Sequence, residues 1–579
     1  MLAPRSFHIA ATGLLLIAAS AAAQEMTQPR VTVMAVDWRA ALNDASRHVA
    51  LPANGFSVLN EALGVRFAGI ADSTVPVLLP VDLTTFILDR DAGKAGLATS
   101  NGYFYGFNPS AFFQTGPAGY DATFFIDPRE QKELDVRFSE PVEVAIAGAA
   151  FVYETEEPGI AEMSGEPRDK DALAAFPGVR RILREAHLRY AFERYGVPYV
   201  VSIECFNGRP RPKRLPCKEA DKIALAFMGR LKVAGGAAGA PPAPSIDLSR
   251  PKAVSQSFTY HAPGDLIDRS GWKQKGGHAD RTVYALIRFP MAKAPAFAKS
   301  QSYNPWGDCY HTGIVGRKRG KGSDYRCKVN NKPLVFDESH PQNFSYPWRD
   351  NYCENRDSQV GHCPGGYGHQ GQDIRGSHCL LSNEGADRCE PYQHDVVAVR
   401  SGTIWRKPGN LAAYISVNTA NDRVRFRYLH MTPERLDADG IVSGRRVEQG
   451  EVIGKLSNYG DFENGTSYHL HFDAQVFTRD GWVWVNPYMT LVSAYERLIG
   501  ARGAEVKDGA PEAHNKGVMT PLIANRPPEQ APAFARDSRP EPELTASVKS
   551  KVKPKPAKKK RKIRRKKAAD GEQTQRISD

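Results

Sequence analysis

The chain has 579 residues, 41% of them hydrophobic, with 77 Lys and Arg against 64 Asp and Glu and a formal net charge of +13. This length exceeds one ordinary domain several times over, so two or three cores are expected, and a composition that is globular through the middle excludes a wholly disordered or fibrous chain. The charge excess is localised: Lys549 to Lys567 holds 13 Lys or Arg and no acid, which equals the whole excess and leaves the rest of the chain nearly neutral.

At the N-terminus, Arg5 is followed by an apolar stretch from Ile9 to Ser20 and then Ala21-Ala22-Ala23, the pattern of a cleavable export signal over residues 1–23. The apolar core is too short and alanine-rich to cross a membrane, which takes about 20 residues, so the mature chain is expected to be exported to the periplasm or cell envelope. Residues 24–233 read as an α+β region. Leu134, Val136 and Phe138, then Val142, Val144 and Ile146, alternate as strands do. Val179, Ile182, Leu183, Ala186 and Tyr190 follow the helical period and place His187 on a helix, with Gly196 and Pro198 as stop signals before a strand at Tyr199 to Ile203. The aromatic run Tyr103 to Phe107 reads as a strand or turn feeding the core rather than a sugar-stacking platform.

Residues 234–245, rich in Gly, Ala and Pro, have linker composition, and residues 246–345 form a lead-in with two cysteines. The eight cysteines fall into sequence-near pairs: Cys205 with Cys217, Cys309 with Cys327, Cys353 with Cys363, and Cys379 with Cys389. An even count in an exported chain points to disulfides, and the absence of any C-x-x-C disfavours a second, thiolate-based metal site.

Two stretches in residues 346–500 carry chemistry. Gly368-His369-Gln370-Gly371-Gln372-Asp373 and Tyr468-His469-Leu470-His471-Phe472-Asp473 supply a His, a carboxylate and two more His. Zinc in hydrolases is usually held by three N/O ligands with the fourth position left for water. His369, Asp373 and one His of the later pair make such a set. Residues two apart on a strand share a face, so His469 and His471 project together, one able to bind metal while the other handles protons. Gly368 and Gly371 break a helical reading of the earlier stretch and favour a strand or turn in close approach. The helical H-E-x-x-H signature is absent. His340, His362, His378 and His394 have no partner at useful spacing and read as loop or surface residues.

The run Val447 to Gly454, the Gly460 to Gly465 loop, His469-Leu-His-Phe-Asp473 and Arg427-Tyr-Leu-His-Met431 together resemble the lysostaphin-like (LytM-type) zinc endopeptidases, whose fold is the duplicated hybrid motif. The resemblance covers about Gly366 to Pro487. It implies a mostly antiparallel β catalytic domain holding one Zn2+ through His369, Asp373 and His471, with His430 and His469 as catalytic histidines that orient water, take its proton and stabilise the tetrahedral intermediate. Asp473 can hold an imidazole N–H or be a simple edge charge. An insertion from Arg375 to Asp395, carrying Cys379 and Cys389, departs from the family pattern and is expected to form a stapled loop beside the cleft.

Residues 501–579 lose periodicity and form a Pro-rich, then Lys/Arg-rich tail expected to be disordered. In an exported chain its partners are anionic wall polymer or a membrane surface rather than specific nucleic acid. The expected function is hydrolysis of peptidoglycan cross-links, with stem peptides as substrate. A non-catalytic regulator of other wall hydrolases and a secreted lysin against other bacteria are the alternatives.

Overall fold

A computed structural model describes residues 26–506 apart from 95–100, 131–133, 156–163, 166–173, 185–186, 206–214, 253, 264–279, 299–307, 312–324, 330–331, 335–345, 347, 354–368, 378–388, 461 and 464–465. The expected export signal and the basic tail lie outside the described residues, as do His340, His362, His378, Cys363 and Cys379.

Nearly all strand pairing is antiparallel. Among the described residues the N-terminal sheet has seven strands in the spatial order 107–116, 119–126, 142–149, 197–204, 187–194, 180–184 and 164–165. Period-2 alternation gives this sheet two buried faces. Val144, Ile146, Tyr199 and Val201 pack with Leu59, Phe86 and Phe227 of the helices Gly55–Gly64, Leu83–Asp91 and Cys217–Gly229. The intervening Ala147, Ala149 and Val200 face the other way. Asp82 begins one of these helices by accepting from Thr84 N and Thr85 N at 3.2 and 3.4 Å, satisfying N–H groups that have no partner within the helix.

Two local expectations are corrected here. The helix expected over Val179 to Tyr190 is instead a pair of strands, Arg180–Arg184 and His187–Arg194, and His187 lies on the second. The decisive element is Tyr195-Gly196, whose φ values of 55° and 72° make the two-residue hairpin turn that pairs Arg194 with Val197. The Gly196 read as a helix stop is therefore the tip of a hairpin. Leu134 to Phe138 form no regular strand; Asp135 has φ 49° there. In the aromatic run, Phe104 and Phe107 are buried in the core.

The second sheet runs 297–298, 372–375, 470–478, 423–429, 413–418, 402–405 and 446–447, with 481–485 paired to 470–478 beyond the short strand 372–375. On the long strand Leu470–Thr478, the residues Leu470, Phe472, Ala474 and Val476 enter the main core. Ile246, Phe258, Val283 and Phe289 of the lead-in and Leu491 and Tyr495 of the helix Tyr488–Ile499 pack in the same core. His471, Asp473, Gln475 and Phe477 therefore point to the opposite face.

That opposite face receives the N-terminal sheet at its Phe477 end, where Phe477 and Trp482 pack against Ala147, Ala149 and Val200. At the centre of the junction Asp121, 1% exposed, meets Arg423 Nη1 at 2.5 Å and Arg425 Nη2 at 2.7 Å and accepts from Trp482 Nε1 at 3.2 Å. The Arg425 guanidinium stacks 4.1 Å from the Trp482 ring centroid. Asn418 brackets the turn between strands 107–116 and 119–126, accepting from Ala118 N at 2.9 Å and donating to Gly119 O at 2.8 Å.

Cys205 and Cys217 are joined, tying the strand Val197–Glu204 to the following helix. Cys353 and Cys389 are also disulfide-bonded, and the partners expected for them lie outside the described residues. The register of strands 308–311 and 325–329 sets Cys309 opposite Cys327.

Two stability outcomes follow. Asp121→Ala strands two buried guanidinium groups at once, so equilibrium unfolding in denaturant should show a loss of about 3–5 kcal/mol, the usual cost of breaking a buried pair by removing one partner. A loss under about 1 kcal/mol would mean the junction does not depend on this carboxylate. Replacing Cys205 and Cys217 together by Ser should cost about 3 kcal/mol, from the extra freedom of the short loop in the unfolded chain, and an unchanged denaturation midpoint would contradict that.

Candidate metal centre

His369 and Asp373 are brought in by the strand Gln372–Arg375 and the residues just before it, and His471 by the adjacent strand, where Asp373 and His471 are cross-strand partners. The approach is closer than a side chain at residue 371 would permit. A Cβ on Gly371 would lie 2.5 Å from Phe472 O and 3.0 Å from His471 Nε2, so only glycine lets the two stretches meet. His369 Nε2, His469 Nε2 and His471 Nδ1 lie 3.1, 3.3 and 3.2 Å from a single oxygen, Asp373 Oδ1. His430 follows the strand Arg423–Leu429 with φ 71°, and its ring centroid is 4.6 Å from that of His469 and 6.1 Å from that of His471. All five residues singled out in the sequence thus converge.

The direction of each imidazole is fixed from outside the cluster. His369 Nδ1 donates to Asn351 O at 2.8 Å, His430 Nδ1 to Tyr459 O at 2.9 Å and His469 Nδ1 to Ser467 O at 2.8 Å. His471 is reversed, with Nε2 donating to Asp473 Oδ2 at 3.0 Å. A neutral imidazole carries one N–H, so each outward bond leaves a lone pair on the inward nitrogen.

This makes a test of fit for a cation. His369 Nε2 and His471 Nδ1 are 2.7 Å apart, two lone-pair atoms aimed at each other beside a carboxylate oxygen, an arrangement that repels unless positive charge lies among them. Among the described residues His369, Asp373 and His471 form a group whose ligand atoms all lie within 4.8 Å of one another, all three buried. Two nitrogens and one oxygen with no thiolate suit Zn2+ with a position left open.

The electrostatics divide the histidines. Burial, the largest influence, disfavours charge on His471, but its bonds to Asp373 and Asp473 outweigh it and its pKa is raised. Burial first, then the neighbouring His469 and His471, push His430 well below the ordinary imidazole value. His430 is therefore neutral at neutral pH, with its inward nitrogen able to accept a proton.

Sequence reasoning missed the outer supports. Asn351 holds His369 through its carbonyl and accepts from Asp373 N at 3.3 Å, while Asp350 bonds Gln372 Nε2 at 2.6 Å and Asn486 Nδ2 at 2.7 Å. Neither lies at a spacing that signals a site. His394, expected as a loop or surface residue, is a half-buried loop residue whose Nδ1 is hydrogen-bonded to the Tyr468 hydroxyl at 2.6 Å. From the insertion, Tyr392 reaches Thr432 Oγ1 at 2.8 Å and Glu463 Oε1 at 3.0 Å.

No family model matches the chain. Endolysin 2638A of Staphylococcus phage 2638A is 32% identical over 146 residues, 25% of this chain and 25% of the endolysin. A solved structure from Ruminococcus gnavus, proposed to be a glycyl-glycine endopeptidase of the LytM kind, is similar at 21% identity over 24% of this chain and 49% of that one, with a TM-score of 0.17, too low to carry a structural argument. The chain spans about a quarter of the endolysin and half of the solved chain.

Proposed function

We propose that this chain is an exported, zinc-dependent endopeptidase that hydrolyses the peptide cross-links of peptidoglycan. The observation that carries the reading is the convergence of His369 Nε2, Asp373 Oδ1 and His471 Nδ1, with the outward N–H of each imidazole already committed. The local likeness to an endolysin supports a cell-wall substrate. Export rests on the signal pattern of residues 1–23.

In this reading His369, Asp373 and His471 hold the metal. Zinc bound there supplies Lewis acidity toward a carbonyl and lowers the pKa of water to about 7. His430 and His469 work beside it through their inward Nε2 atoms. Both outward N–H groups are anchored on backbone carbonyls, so these rings present a fixed acceptor to a proton released during attack and can return it to the leaving amine. The depressed pKa of His430 keeps it in the accepting form. Burial of the cluster strengthens each of these interactions relative to water. The basic tail, in this proposal, adds diffuse attraction to anionic wall polymer or membrane.

The test separates holding metal from moving protons. His471→Ala and Asp373→Asn should lose bound zinc and activity on purified sacculi together. His469→Ala and His430→Ala should keep near-stoichiometric zinc by elemental analysis and lose about 10²–10⁴-fold in turnover, the usual worth of general acid–base help. Zinc retained in His471→Ala but lost from His469→Ala would reverse the roles. Released muropeptides without newly cleaved peptide bonds would contradict the substrate assignment.

A further inference from the structure

We infer that Asp473 and Arg427 form a positioning pair that fixes the ring orientation of His471, the ligand set in the reversed orientation. The inference rests on the metal-binding reading above and adds two residues to it. Of the four clustered imidazoles, three give their outward N–H to neutral backbone carbonyls, and His471 gives its own to a carboxylate. That bond sets which ring nitrogen of His471 faces Asp373.

Arg427 holds that carboxylate in place. Its Nε and Nη2 lie 2.7 and 2.6 Å from Asp473 Oδ2, the same oxygen that accepts from His471. Asp473 is wholly buried, and a guanidinium bound at two points fixes its position. The geometry comes from sheet register: Arg427 is the cross-strand partner of Asp473, so both point to the same face as His471. The guanidinium is itself fixed, stacked 4.1 Å from the Trp484 ring centroid. The chain of influence runs from Trp484 through Arg427 and Asp473 to His471, and ends with the Nδ1 lone pair aimed beside Asp373. A carboxylate on the outer nitrogen also makes the inner one a better ligand than a carbonyl partner does.

Arg427 therefore acts through Asp473 and touches no reacting atom. The experiment measures zinc affinity by chelator competition on the full mature chain, for wild type, Asp473→Asn, Arg427→Gln, Arg427→Lys and the Asp473→Asn/Arg427→Gln double variant. Visible absorption of the cobalt-substituted proteins serves as a second readout. Asp473→Asn should weaken zinc binding about 10–100-fold and shift the cobalt spectrum. Arg427→Gln should weaken it less, Arg427→Lys should recover part of that loss, and the double variant should bind no more weakly than Asp473→Asn alone, since the two act in series. Wild-type zinc affinity in folded Asp473→Asn and Arg427→Gln, or losses that simply add, would overturn the inference. If Asp473→Asn does not fold, the Gln and Lys variants of Arg427 decide it: equal zinc affinity in both and in wild type overturns it. Failure of the wild-type chain to bind zinc at all would instead remove the metal-binding reading on which this one stands.

Discussion

Everything in the candidate site depends on where four imidazole N–H bonds go. A histidine can be base, ligand or simple packing element, and its outer hydrogen bond decides which nitrogen faces inward with a lone pair. Here the outer acceptors are three backbone carbonyls and one buried carboxylate, drawn from residues 351, 459, 467 and 473. These anchors sit on different loops and strands, so the cluster exists only once the sheet and its surrounding loops have closed. The inward lone pairs, with Asp373 among them, then make a concentrated demand for positive charge.

The sheet that carries the cluster spends its other residues on holding position. Along one face of the strand Leu470–Thr478, His471 and Asp473 serve the site while Phe477, roughly 20 Å further on at ~3.3 Å per residue, is covered by the N-terminal sheet. The neighbouring strand answers with three arginines on the same face. Arg427 pairs with Asp473 beside the site, and Arg423 and Arg425 pair with Asp121 at the junction. Each guanidinium lies against a tryptophan ring, Trp484 for Arg427 and Trp482 for the other two. Charge buried on this scale is tolerable because every cation touches a carboxylate, Asp121 being shared by two of them, and a flat aromatic surface. One end of the row borders the candidate site and the other fastens the N-terminal region.

The site was more legible in the sequence than the scaffold. The i,i+2 spacing of His469 and His471 and the glycine before Gln372 are local signals whose physics is short-range, and both appear as read. His430 was named through a motif likeness rather than spacing, and its left-handed backbone was not foreseen. Nothing in the sequence pointed to Asn351, because its two bonds depend on a fold that brings a loop 18 residues upstream against the ring of His369. Asp121 was equally silent, its arginine partners lying 302 and 304 residues away. The stretch Val179 to Tyr190 fits both helical and strand periods, and the two positive φ angles at Tyr195 and Gly196 settled it as a hairpin. Local patterns identify chemistry here, while long-range pairing identifies what holds it.

The most direct test of the central claim is anomalous diffraction at the zinc edge from crystals of the protein grown with Zn2+. The account places a single strong peak at bonding distance, about 2.0–2.2 Å, from His369 Nε2, Asp373 and His471 Nδ1, with His430 and His469 beside it and not bound. A peak held by His430 or His469 in place of His471, or no peak in this cluster at saturating zinc, would contradict it.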